Sequence, residues 1–144
     1  MKVLVQRVKK ASVKVEEKTV GEIKNGLLLF VGFTEGDSLT NIREMAKKVV
    51  NLRIMDDENG IMNKSVLDTN GSILSVSQFT LYADTKKGNR PSYVGALKGE
   101  LACPLYDLFN EELRNYLSVE TGVFGAEMEV SLINDGPITI ILEK

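Results

Sequence analysis

The segment that most restricts how this chain can fold is Gly26-Leu27-Leu28-Leu29-Phe30-Val31-Gly32-Phe33, which carries no polar side chain at all. Asn25-Gly26 at its head is a turn signal, and the run reads as a strand buried on both faces rather than a half-exposed one. Its longest unbroken apolar stretch, Leu27 to Val31, falls far short of the ~20 residues a membrane helix needs. At 144 residues the chain fits a single domain, 1–144, large enough for a real core.

Strands dominate the flanks. Residues 2–9 alternate around Val3, Val5 and Val8, Ser12 to Glu16 alternates around Val13 and Val15, and Thr19 to Ile23 makes a third short strand. At Asp37-Ser38 the period changes. Either residue caps a helix, and Ile42, Met45, Ala46, Val49 and Val50 predict one over about 38–51. Leu52 to Met55 reads as a strand ended by the Asp57-Glu58-Asn59-Gly60 turn. Asn70-Gly71 launches a strand over 72–82. Residues 83–103 form a long irregular stretch, and loops of that length in compact domains are usually functional or mobile. Pro104 suits the first turn of a second helix over about 104–118. Met128 to Leu132 and Ile138 to Leu142 are strands, with Asn134-Asp135-Gly136-Pro137 as a tight turn between them. Helices do not alternate strictly with strands, so the class is α+β, with a mainly antiparallel or mixed sheet and two main helices.

Composition narrows the function. A net charge of −2 and a pI near 5.3 argue against gripping nucleic acid by bulk electrostatics, while leaving room for a local basic patch. One cysteine, Cys103, excludes an internal disulfide. A single thiol without histidine is a poor metal site or catalytic dyad, so no metal and no cofactor are expected. Gln6 and Arg7 interrupt any signal-peptide core, which makes the cytoplasm the expected location. Most restrictive for chemistry, the chain has no histidine, so the commonest general base is missing.

Four places could carry chemistry. Ser77-Gln78-Phe79-Thr80 sets hydroxyls and an amide in a strand expected to be buried, where polar groups need partners or a task. In a strand Ser77, Phe79 and Leu81 face one way, and Gln78, Thr80 and Tyr82 the other. The ordinary explanation is bonding to neighbouring carbonyls. Gly136-Pro137 is ordinarily a turn, yet a glycine there lets two carbonyls approach a ligand without a Cβ in the way. Lys86, Lys87 and Arg90 form a basic cluster on the long loop, either solvated surface or a phosphate contact. Arg7, a charge among valines, either snorkels to an edge or fixes a carbonyl-rich motif with its planar donors. Asp56 to Gly60 lacks the full alternation of a calcium loop and reads as a turn.

Taken in order, Gln6-Arg7-Val8, Ala11-Ser12-Val13, Gly26-Leu27-Leu28, Ser77-Gln78-Phe79-Thr80-Leu81 with Ala83-Asp84, Gly88-Asn89-Arg90-Pro91-Ser92 and Asn134-Asp135-Gly136-Pro137-Ile138-Thr139 closely resemble the D-aminoacyl-tRNA deacylases over essentially the whole chain. Each motif alone is weak, but the ordered set is specific. Departures are slight: Tyr82 stands where alanine is common, and Ile138 where valine is common. The resemblance implies a barrel-like core and a homodimer with active sites at the subunit interface. It implies hydrolysis of the ester joining a D-amino acid to the tRNA 3′ end, with glycine mischarged on alanine tRNA also accepted, and neither membrane nor DNA as partner.

The resemblance also implies roles. Ser77, Gln78, Phe79 and Thr80 become the catalytic segment, with backbone N–H groups, chiefly that of Phe79, as an oxyanion hole. Gln78 would orient the adenosine or the water. Gly136 and Pro137, joined by a cis bond and reaching into the partner's site, would exclude L side chains. Arg7 would hold them. Lys86, Lys87 and Arg90 become the expected tRNA contacts. The substrate's terminal 2′-hydroxyl would help activate water, which suits a chain without histidine. Two rivals remain: an esterase or amidase using Thr80 or Ser77 with Lys86 or Asp84 as base, and a non-catalytic RNA-binding or scaffold protein.

Overall fold

The computed structural model describes residues 1–144. Its backbone is a long antiparallel hairpin. β1 (Lys2–Val15) is one continuous strand, not the two expected over 2–9 and 12–16. The exposed Lys9 and Lys10 looked like a break, but Lys10 still pairs with Ile133. β2 (Lys18–Ile23) and β3 (Gly26–Gly32) both run antiparallel to β1. Ala11 pairs with Ile23 and Val8 with Gly26, so the register passes unbroken from β2 to β3. Asn25-Gly26 is therefore no reversal. The Asn25 carbonyl instead accepts the Ser72 N–H at 3.2 Å, where the next strand begins.

The 72–82 strand stops early. It is β6 (Ser72–Ser77), parallel to β3 from Gly26↔Ser72 to Val31↔Ser77, and it carries β7 (Val119–Thr121), also parallel, on its far edge. Parallel neighbours need crossovers. α1 (Leu39–Asn51) and a small hairpin of β4 (Met55–Asp56) and β5 (Met62–Lys64) lie in the first, and α2 (Gly99–Arg114) is the second. β8 (Glu129–Glu143) runs along the remaining edge of β1, from Lys14↔Glu129 to Lys2↔Glu143. β2 curls into contact with β6 and β7, so the mixed sheet nearly closes as a barrel. No helix is long and apolar enough to cross a membrane.

The apolar run of β3 is buried on both sides, as its sequence requires. Leu27 and Leu29 join Val3, Val5, Ile73 and the helices in one cluster, while Leu28 lies with Val8, Val13, Leu74 and Val76 in the barrel interior. Each such side chain contributes about 1.5–3 kcal/mol on burial. α1 matches its predicted span within a residue. α2 begins at Gly99, five residues ahead of the expected start, and ends at Arg114 rather than 118. Pro104 sits inside the helix, not in its first turn. The buried stripe is Ala102, Tyr106, Phe109 and Leu113, whereas Leu108 and Tyr116, expected on it, are exposed.

Candidate active site

Two interruptions of strand pairing create the features of interest. The first is at the end of β6. The Gln78 N–H donates to the Val31 carbonyl at 2.7 Å, and the partner strand then ends. Phe79–Tyr82 consequently leaves the sheet and winds into one turn of 3-10 helix. Gly32 permits it: a Cβ there would fall 2.9 Å from the Gln78 carbonyl oxygen and 3.3 Å from Leu81 Cβ. The turn is closed by Leu81 N–H to Gln78 O at 3.3 Å and Ala83 N–H to Thr80 O at 3.0 Å. The leading N–H groups of Phe79 and Thr80 have no intrahelical acceptor, and no turn, loop or side-chain bond takes them up.

Strand alternation does not hold here. Ser77, Gln78 and Phe79 all line one cleft of about 650 Å³, whose other walls include Phe33, Tyr93, Phe124, Met128 and Val130. Phe79 is 57% exposed and meets Tyr93 edge-on, ring centres 5.2 Å apart. Thr80 is not on the lining. Its hydroxyl accepts a bond from Gln78 Nε2 at 2.5 Å, and an amide is no base. No hydrogen bond joins the Ser77 or Thr80 hydroxyl to a lysine or carboxylate, and Asp84 Oδ1 accepts the Lys86 N–H at 2.9 Å. The rival esterase therefore has no base in hydrogen-bond contact with its nucleophile. Lys98 is the one charged residue on the lining. Below the cleft, Tyr106 donates to the Ser75 carbonyl at 2.7 Å, and burial raises its phenol above the ordinary range. Burial pushes the Tyr82 phenol up as well.

The second interruption is in β8. Gln6 pairs with Thr139 and Val8 with Asn134, so four residues of β8 stand opposite Arg7 alone. The expected tight turn is thus a bulge within one strand. Asn134 closes it: its Oδ1 accepts the Ile138 N–H at 2.8 Å, and its Nδ2 donates to the Ile138 carbonyl at 3.3 Å. The Gly136-Pro137 bond is cis, and Gly136 has φ +124°, a conformation only glycine adopts easily. Arg7 fills the gap, only 6% exposed. Its Nε donates to the Asp135 carbonyl at 3.2 Å, and its Nη1 to the Ile54 carbonyl at 2.9 Å and the Asp56 carboxylate at 3.1 Å. Arg7 does not snorkel; it ties the bulge to β4. Sequence reasoning missed Asp56, which was read only as part of a turn.

The basic loop is anchored at its base, where Asp84 and Ser92 exchange both backbone bonds at 2.8 and 2.9 Å. Lys86, Lys87 and Arg90 are exposed on its tip. The same loop continues into Tyr93, Ala96 and Leu97 of the cleft wall, so the cluster stands beside the cleft.

The family sequence model of D-Tyr-tRNA(Tyr) deacylase matches residues 4–143. The chain belongs to that family. It is accordingly a hydrolase of D-aminoacyl-tRNA that serves translational proofreading. A solved structure described as c-Myc DNA Unwinding Element Binding Protein is 40% identical, with a TM-score of 0.95 over 100% of this chain and 99% of that one. Another, a probable eukaryotic D-amino acid tRNA deacylase, is 18% identical, with a TM-score of 0.84 over 98% and 97%. At that identity the second likeness speaks for the fold.

Within one deacylase chain the two features stay apart. The bulge is level with Arg7↔Leu27, and the cleft with Val31↔Ser77. Four residues along β3 and three strand spacings across the sheet separate them by roughly 20 Å. Gly136 and Pro137 do not line the cleft.

Proposed function

We propose that this chain hydrolyses the ester of D-aminoacyl-tRNA, and of glycine mischarged on alanine tRNA, in a site built by two subunits without metal or cofactor. The observation that carries this reading is Ser77, Gln78 and Phe79 on one cleft of a chain without histidine, with the Phe79 and Thr80 N–H groups at the head of the 3-10 turn lacking an intrahelical acceptor. An amide pair of this kind stabilises the oxyanion of the tetrahedral intermediate. Gln78 orients the terminal adenosine, with Thr80 fixing the amide. Water is activated with help from the substrate's 2′-hydroxyl, a group that RNA brings and DNA lacks.

Gly136 and Pro137 of a second subunit complete the site and select the hand of the amino acid. Their carbonyls face the α-amino group and α-carbon, so an L side chain meets rigid backbone while a D side chain points to solvent. Glycine has nothing to reject. This is discrimination by repulsion. Arg7 supports it by holding Asp135. The homodimer is favoured by β8, which pairs only on its β1 edge and exposes Ile133 and Ile141. Lys86, Lys87 and Arg90 contact tRNA phosphates next to the cleft. A cytoplasmic location suits such a substrate. The 40%-identical relative is named for DNA binding, but this chain's net charge of −2 offers duplex DNA no bulk attraction.

The test replaces the terminal 2′-hydroxyl of D-tyrosyl-tRNA by hydrogen. Hydrolysis falls by at least ~100-fold if the substrate supplies the missing base function. An unaltered rate removes substrate assistance from the mechanism.

A further inference from the structure

A second basic surface lies away from the cleft. Lys47 and Lys48 of α1, Arg53 just beyond it and Lys144 wall a shallow groove of about 670 Å³, with Glu44 its only acidic side chain. Elsewhere acids prevail, since the whole chain has 20 acidic and 18 basic residues. Lys144 holds Glu44 at 3.3 Å, and Lys47, Lys48 and Arg53 make no ion pair. One lysine in a helix's last turn is accounted for by the negative end of the helix dipole. Cations arriving from the following segment and from the end of β8 are not. Arg53 is also pre-oriented. Its Nε donates to the Asn63 carbonyl at 2.9 Å and its Nη2 to the Asn63 side chain, while Nη1 has no acceptor.

We propose that this groove binds phosphodiester backbone and docks the body of the tRNA while the 3′ end occupies the cleft. The inference rests on the cleft taking aminoacyl-tRNA. Charge complementarity chooses the occupant, because unpaired cations beside one neutralised carboxylate suit a polyanion. The groove is also separate from the cleft, since the two share no lining residue.

The experiment compares the wild type with the triple variant Lys47→Ala/Lys48→Ala/Arg53→Ala on D-tyrosyl-tRNA and on D-tyrosyl-adenosine. KM for the tRNA is expected to rise about tenfold with kcat unchanged. The slope of log(kcat/KM) against log salt should become shallower by roughly 0.7–0.9 per lost contact. The adenosine ester should be cleaved by both proteins alike. Unchanged KM and salt slope on tRNA overturn the proposal. So does an equal loss on both substrates, which would place the effect in the cleft. If the triple variant fails to fold, Lys47→Gln/Lys48→Gln keeps the Arg53–Asn63 contact and must still raise KM. If the wild type cleaves neither ester, the reading of the cleft fails. Affinity for uncharged tRNA must then still drop about tenfold in the variant, and a drop for duplex DNA alone would reject tRNA as the occupant.

Discussion

The Ser77–Thr80 segment and the Asp135–Ile138 bulge both arise where a strand loses its pairing, and they end in opposite states. At the first, the chain turns into a 3-10 helix whose leading N–H groups have no intrahelical acceptor and whose first residue, Phe79, lines a cleft. At the second, side chains take up what the strand released: Asn134 holds both backbone groups of Ile138, and Arg7 holds the Asp135 carbonyl. An interrupted ladder yields a binding group or a rigid wall, depending on whether a neighbouring side chain satisfies the freed backbone. The proposed mechanism uses one of each, donors for the developing charge and a wall for the side chain.

The largest effect should come from deleting a donor without disturbing the turn. Phe79 occupies the first position of the 3-10 helix, where proline is tolerated because that N–H has no intrahelical partner. Phe79→Pro should lower kcat by about 10²–10³. Phe79→Ala keeps the N–H and loses only the ring against Tyr93, so its kcat should stay within about tenfold of wild type. Equal losses in the two variants would mean that the ring, not the amide, is what matters.

Next comes the wall. Arg7→Met keeps the bulk but leaves the Ile54 carbonyl and the Asp56 and Asp135 carboxylates without their cation. Because both carboxylates are partly exposed, the expected loss is about 2–3 kcal/mol, below that of a fully buried pair. Urea unfolding measures it. Selectivity for D over L should fall together with stability, while the kcat per correctly folded site on the D substrate changes less than in Phe79→Pro. A stable Arg7→Met protein with intact selectivity would detach Arg7 from the wall.

The smallest expected effect is at Thr80. Thr80→Ala removes the acceptor of the Gln78 amide but no backbone donor, so hydrolysis of D-aminoacyl-tRNA should drop by less than about tenfold. Near-total loss in a folded variant would restore Thr80 as a nucleophile and end the contrast drawn above.

Much of this was legible locally. Helical period placed α1, and the turn-bounded apolar run placed β3 with both faces buried. The overreach of the 72–82 strand has a plain cause. Its residues continue to suit a strand, and only the end of β3, a non-local fact, withdraws the partner. α2 was misplaced because Pro104 looked like a first-turn proline, while Gly99, a poor helix former, gave no signal of the true start. The Ser77–Thr80 segment and Gly136-Pro137 stood out in the sequence. The register that sets four β8 residues against Arg7 depends on pairing over more than a hundred residues, and the Asp56 that Arg7 reaches lies 49 residues away, so neither left a local trace. Tyr93 and Phe124 were invisible as cleft walls for the same reason.

The central claim is that open backbone donors perform the hydrolysis and a rigid backbone wall decides which hand of amino acid reaches them. Hydrolysis of D- and L-tyrosine on the same tRNA by the wild-type protein tests it most directly. The account predicts that the D ester is cleaved at least ~100-fold faster, a discrimination of about 2.7 kcal/mol. Equal rates on the two would contradict it.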